Sequence, residues 1–166
     1  MRTARFFPEQ DDDKALRQDY DDTNLKVNEF LYRRADIDDV VSAHLLAMRL
    51  APGIRFGRYI ISATTPFTPD DLFELRNDAA AVVKRCVPCY EAEYQRRGWR
   101  MLPTIDRVYI NEQARTRLGW QPRFDFKSIM RRMIASEDIR SPLAIAVGSK
   151  GYHAETFAEG PYPTSP

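Results

Sequence analysis

Apolar positions recur at helical spacing along most of this chain and at strand spacing in only a few short runs. The clearest helix is "DIDDVVSAHLLAMRLA" (36–51), where Val40, Val41, Leu45, Leu46 and Met48 follow the i, i+3/i+4, i+7 pattern. Asp36, Asp38 and Asp39 put negative charge at the positive end of its dipole, and the helix is expected to begin near Asp38 and stop before Pro52-Gly53. "TPDDLFELRND" (68–78) starts another helix, with Thr68 placed to cap and Pro69 at the first helical position. Further helices are predicted over 79–84, 90–97 and 112–118. In the last of these, Gly119 supplies a left-handed stop and Trp120 covers the end. "DFKSIMRRMIAS" (125–136) places Ile129, Met130, Met133 and Ile134 on one face of a final helix.

Strands are predicted where β-branched and aromatic residues cluster between breakers: 3–7 (TARFF), 57–63 (GRYIISA) and 106–110 (DRVYI). The acidic run "PEQDDDKALRQDYDD" (8–22) reads as a surface loop with a helical turn near Ala15 to Tyr20. From Ser149 onward Gly, Pro and Ser suggest a frayed tail, so the expected organisation is one domain over 1–148 with a flexible tail over 149–166.

Composition narrows the class. With 166 residues, 43% of them hydrophobic and 30% charged, the chain is long enough for one domain with its own core. No window approaches the length of a membrane span. The first 20 residues carry Arg2, Arg5, Glu9 and Asp11 to Asp13 without an apolar stretch, so a cytoplasmic location is expected. The net charge of +1 conceals an asymmetry: residues 9–22 hold seven acids against Lys14 and Arg17, whereas 96–132 hold ten basic residues against Asp106, Glu112 and Asp125. The basic half suits either phosphate groups or solvated helix faces. Its arginines are interleaved with core positions and the whole chain is near neutral, which argues against nucleic acid as the partner.

Four stretches, in order, resemble one known family. "ARFFPE", "RRADIDDVVSAHLLAM", "GRYIISATTPFTPDDL" and "INEQARTRLGWQPRFDF" look like the successive strand, aspartate turn, Thr-capped helix and Gly-Trp-x-Pro turn of the C-terminal half of NAD-dependent epimerases/dehydratases. These belong to the extended short-chain dehydrogenases/reductases and act on nucleotide sugars. The resemblance covers about residues 3 to 135. It implies an α/β fold of mixed strands and helices, the C-terminal part of a Rossmann-type fold without its dinucleotide-binding half.

Two family features are missing. No Gly-rich strand-to-helix turn of the kind that admits a dinucleotide pyrophosphate is present, since Gly53 to Gly57 and Gly148 to Gly151 have the wrong spacing. No tyrosine is followed four positions later by the lysine that would tune it for acid–base work. The resemblance therefore implies a substrate-binding half that binds no cofactor and is inactive alone. NAD or NADP would belong to a complete enzyme, reached through a dinucleotide-binding partner chain or a homo-oligomer. The alternative is a non-catalytic nucleotide-sugar binding or partner-subunit module. The solitary chain is expected to be marginally stable.

Arg33, Arg34, Arg97 and Arg107 are the candidate substrate-binding residues, because a guanidinium donates two parallel hydrogen bonds to phosphate oxygens. Arg5 matches the family's Arg-aromatic-Phe strand, but Pro8 stands where an asparagine usually touches substrate, so a structural role is expected for it. Asp36 and Asp39 are expected to cap their helix. His44 is expected to pack against neighbours, and His153, in the tail, is assigned no role. "CVPC" (86–89) has metal or redox spacing, yet no second pair accompanies it and no strand leads into it, so no catalytic residue and no metal site are assigned.

Overall fold

The computed structural model describes residues 1–6 and 14–148. It corrects the α/β expectation: helix accounts for 54% of the structure and strand for 4%, with a single two-stranded sheet among the described residues. Strand β1 is Arg2–Thr3 and β2 is Ile60–Ile61, paired in parallel with Arg2 opposite Ile60. A lone parallel bridge joins Arg5 to Arg34. The other segments read as strands stay extended without a ladder. In 106–110, for instance, Tyr109 donates its N–H to the Tyr32 carbonyl at 2.9 Å with no neighbouring run to continue the pairing. Propensity selects extended backbone, but a strand exists only where a second edge lies alongside.

The helices are α1 Lys14–Asp19, α2 Asp22–Glu29, α3 Ile37–Ile54, α4 Leu72–Leu75, α5 Ala79–Cys86, α6 Tyr90–Arg97, α7 Glu112–Leu118, α8 Phe126–Ile134 and α9 Pro142–Val147. Thr68 and Asp71 form a capping box, and a 3₁₀ turn over Pro69–Asp71 leads into α4. α8 is capped by Asp125 with Ser128, and α7 ends at Gly119 with φ of 64°. Two helices were not anticipated. α2 lies just after the acidic run assigned to a loop, in a stretch given no element, and it forms because Asp21 accepts the N–H groups of Thr23 and Asn24. α9 starts at Ser141, whose hydroxyl accepts from Ala144 N–H, with Pro142 at its first position. α3 also continues through Pro52-Gly53 and closes at Arg55, whose φ is 60°. The proline falls in the last turn beside exposed Met48, where the carbonyl it leaves unbonded can meet water. The tail beginning at Ser149, with His153, lies outside the described residues.

Two apolar cores result. The larger joins α2, α5, α6 and α8 through Leu25, Val27, Val82, Val83, Tyr94, Phe126, Ile129 and Met130. The smaller packs the strand pair between α3 and α7 through Ala4, Ala43, Ile61, Ala114 and Trp120. Gly57 is required beside the second core: a Cβ there would lie 2.5 Å from the Tyr59 hydroxyl, so only a glycine lets that phenol ring close against the backbone. Buried amides tie the 100 region to α2. Asn24 and Asn28 both donate to the Arg100 carbonyl at 3.0 Å, and Tyr94 donates its hydroxyl to Asn28 Oδ1 at 2.8 Å.

Candidate functional site

α2 ends at a buried carboxylate that organises the arginines following it. Glu29 is fully buried, and Arg33 reaches its Oε1 at 2.8 Å while Arg34 reaches Oε2 at 2.6 Å. Arg5 approaches Oε1 at 3.9 Å from the β1 side, the structural role expected for it. Burial holds the Arg34 pKa below its usual value, and Glu29 counteracts that by favouring the charged form. The Glu29 carbonyl accepts from the N–H groups of Tyr32, Arg33 and Arg34, so one residue terminates the helix and anchors two guanidinium groups.

The four candidate arginines therefore part company. Arg34 is only 4% exposed and committed to Glu29. Arg97 clips α6 to α8: its Nε bonds Glu93 at 2.5 Å, its Nη2 lies 3.5 Å from the Met133 carbonyl, and its guanidinium sits 5.2 Å from the Trp99 ring centre. The Arg96 and Arg97 guanidiniums hold the Glu93 carboxyl well below the usual range, at about 2. Arg33 and Arg107 meet at a shared cavity of about 300 Å³, formed where the segment 104–109 runs beside Tyr32. Its wall includes Tyr32, Tyr109, Thr104 and Asp106. Arg107 is exposed and has no ion pair among the described residues. The Arg33 guanidinium stands 5.2 Å from the Tyr32 ring centre, within cation–π range.

This wall combines two guanidinium groups, two aromatic side chains and a carboxylate. Of the residues lining this cavity, the sequence reading named Arg33 and Arg107 and did not name Tyr32, Tyr109 or Asp106. A usable signal was present: Tyr32-Arg33 and Arg107-x-Tyr109 each place an aromatic within two positions of an arginine.

The two aspartates of the helix turn divide their work. Asp36 is the cap of α3: its Oδ1 accepts from Asp38 N–H at 2.8 Å, and its Oδ2 accepts from Ser141 N–H at 3.0 Å, which pins α9 to the same point. Asp39 does not cap. It is buried beneath the loop after Trp120, where its carboxylate accepts the N–H groups of Arg123 and Phe124, each at 2.9 Å. Burial raises its pKa to about 6 against the opposing effect of those two bonds.

A pH prediction follows for Asp39. Its folded-state pKa lies above its unfolded value of 3.8, so the stabilisation from proton binding is full below pH 3.8 and lost as pH rises through about 6. The difference amounts to about 3 kcal/mol at most. Urea melts of the native chain and of Asp39→Asn between pH 4 and 7 are expected to differ in slope, with only the native chain losing this contribution on alkalinisation. Parallel slopes would mean that Asp39 titrates normally.

His44 is exposed rather than packed, with Nδ1 2.8 Å from the Val40 carbonyl. Cys86 and Cys89 are free thiols, and burial raises the Cys86 pKa. Among the described residues no cluster of three or more His, Cys, Asp or Glu could hold a metal, and no helix is long and apolar enough to cross a membrane. Comparison with protein-family models, curated proteins and solved structures finds no match to this chain.

Proposed function

We propose that this chain binds the nucleotide-diphosphate end of a nucleotide sugar in the cavity shared by Arg33 and Arg107. In this reading it serves as the substrate side of an NAD(P)-dependent epimerase/dehydratase whose cofactor is held by another chain. The observation that carries the proposal is the convergence of two of the four candidate arginines, from segments more than 70 positions apart in sequence, on one cavity that also presents Tyr32 and Tyr109. Arg107 supplies an exposed guanidinium for the diphosphate, Arg33 lines the wall while anchored on Glu29, and the tyrosine rings offer stacking faces for a base or sugar. Asp106 at the same wall suits the hydroxyl groups of a ribose. Hydride transfer belongs to a nicotinamide, and the chain has neither a glycine-rich turn to cradle one nor a tyrosine–lysine pair to accompany it.

Calorimetric titration of the full chain with uridine diphosphate, uridine monophosphate and uridine tests this. Saturable binding is expected, strongest for the diphosphate. Arg107→Ala should weaken it roughly ten-fold or more through loss of a charge-assisted contact, while leaving the thermal melt unchanged. Absence of saturable diphosphate binding would refute the site. Formation of NADH from NAD and a nucleotide sugar by the purified chain would refute the assignment of cofactor chemistry to another chain.

A further inference from the structure

The longest helix carries an apolar stripe that the two cores leave outside. α3 buries Asp39, Val40 and Ala43 against the rest of the protein. On its outer side Val41 is 39% exposed, Leu45 44% and Met48 67%. Their spacing of four and three residues is that of a helix-pairing seam, and it puts all three side chains along one line.

We propose that this stripe pairs with the same stripe of a second copy of the chain, the two α3 helices running antiparallel. Charge selects that occupant and that orientation. Asp38 lies in the first turn at one end of the stripe, paired with Arg123 yet still partly exposed. Arg49 lies at the other end and has no ion pair among the described residues. If the dyad passes between His44 and Leu45, Val41 of one copy meets Met48 of the other, and Leu45 meets His44. In that register Arg49 falls two residues, about 3 Å along the axis, from Asp38 of the opposite copy. Both charges sit on the same flank of the stripe, and an antiparallel dyad brings like flanks together. Acid therefore meets base at both ends, and the two helix dipoles oppose favourably. A parallel pairing would instead set Asp38 level with Asp38 and Arg49 level with Arg49, with no opposite charge at either end. The seam is short compared with a standard interface, so the association is weak and reversible.

Sedimentation velocity of the full chain across a concentration series tests the proposal. A concentration-dependent shift from the 19.3 kDa monomer to a dimer is expected. Leu45→Glu should raise the dissociation constant at least roughly ten-fold, as for the loss of a central anchor. Arg49→Glu should weaken association as well, and added salt should weaken the native dimer. Circular dichroism melts of both variants are expected to match the native chain, because both positions face solvent in the monomer. A monomer at every concentration up to about 500 µM would overturn the proposal, since weaker pairing has no use as an interface. A dimer unaffected by Leu45→Glu would also overturn it by placing the contact elsewhere.

Discussion

Replacing Glu29 with alanine is expected to remove about 3–5 kcal/mol of folding stability, the cost of breaking a buried ion pair by deleting one partner. Glu29 is fully buried and Arg34 is 4% exposed, so the substitution strips the carboxylate from a guanidinium that water barely reaches. The Arg34 Nε hydrogen bond and the Nη2 ion-pair contact to Oε2, at 2.6 Å each, are lost together with the 2.8 Å contact from Arg33. A loss of that size is a large part of the stability of an ordinary domain. Glu29→Gln keeps the volume and an acceptor but not the charge, and is expected to fall between the native chain and the alanine variant. The double replacement Glu29→Met/Arg34→Met removes both charges at once and should recover much of the loss, because the desolvation cost disappears with the pair. Urea melts of the four proteins make the comparison. If Glu29→Ala costs less than about 1 kcal/mol, Arg34 is balanced by other groups and the carboxylate is not the anchor of this corner. The alanine variant should also weaken uridine diphosphate binding, since Arg33 would lose the contact that positions it at the cavity.

Trp120→Ala is expected to cost about 3–5 kcal/mol, as for large aromatic truncations in a core. The indole is 1% exposed and fills the smaller core against α3 and α7. Its Nε1 donates to the Asp39 carbonyl at 3.2 Å and to Ser42 Oγ at 3.0 Å. The same loop delivers the N–H groups of Arg123 and Phe124 to the Asp39 carboxylate. Collapse of the loop into the cavity would therefore leave a buried carboxylate with fewer donors, which adds to the transfer and cavity costs. Trp120→Phe separates the contributions: it keeps an aromatic body, loses the N–H, and should cost less than the alanine change. Near-ultraviolet circular dichroism and urea denaturation would read both. An alanine variant as stable as the native chain would mean that the two cores fold independently of this corner.

Most helices were legible because their signals are local. Asp125 before an amphipathic run and Gly119 after one act on backbone groups within a few residues, so capping chemistry reads directly from the chain. The exceptions follow the same logic in reverse. α2 covers a mostly polar stretch for which no helix was predicted, yet Asp21 caps it and the tertiary fold buries Leu25 and Val27 on its inner face. Strands were over-read because pairing is a property of two segments, and among the described residues 106–110 has a backbone partner for only one of its N–H groups, that of Tyr109 on the Tyr32 carbonyl.

The candidate site divides in the same way. That the chain carries guanidinium groups next to its helix turn and in its basic half, and lacks the glycine-rich turn and the tyrosine–lysine pair, is determined by the sequence alone, since residue type and short spacing decide it. Which of those arginines faces a cavity is a tertiary decision. Arg33 and Arg34 are neighbours at the turn that ends α2 and both reach Glu29, but Arg33 stays partly exposed on the wall beside Arg107 while Arg34 is covered by the fold. Asp36 and Asp39 part for a similar reason: helix geometry makes the first a cap, and only the return of the chain from Trp120 to Phe124 gives the second its buried N–H donors. Local chemistry set the elements, while burial, which depends on what folds back over each residue, set their roles.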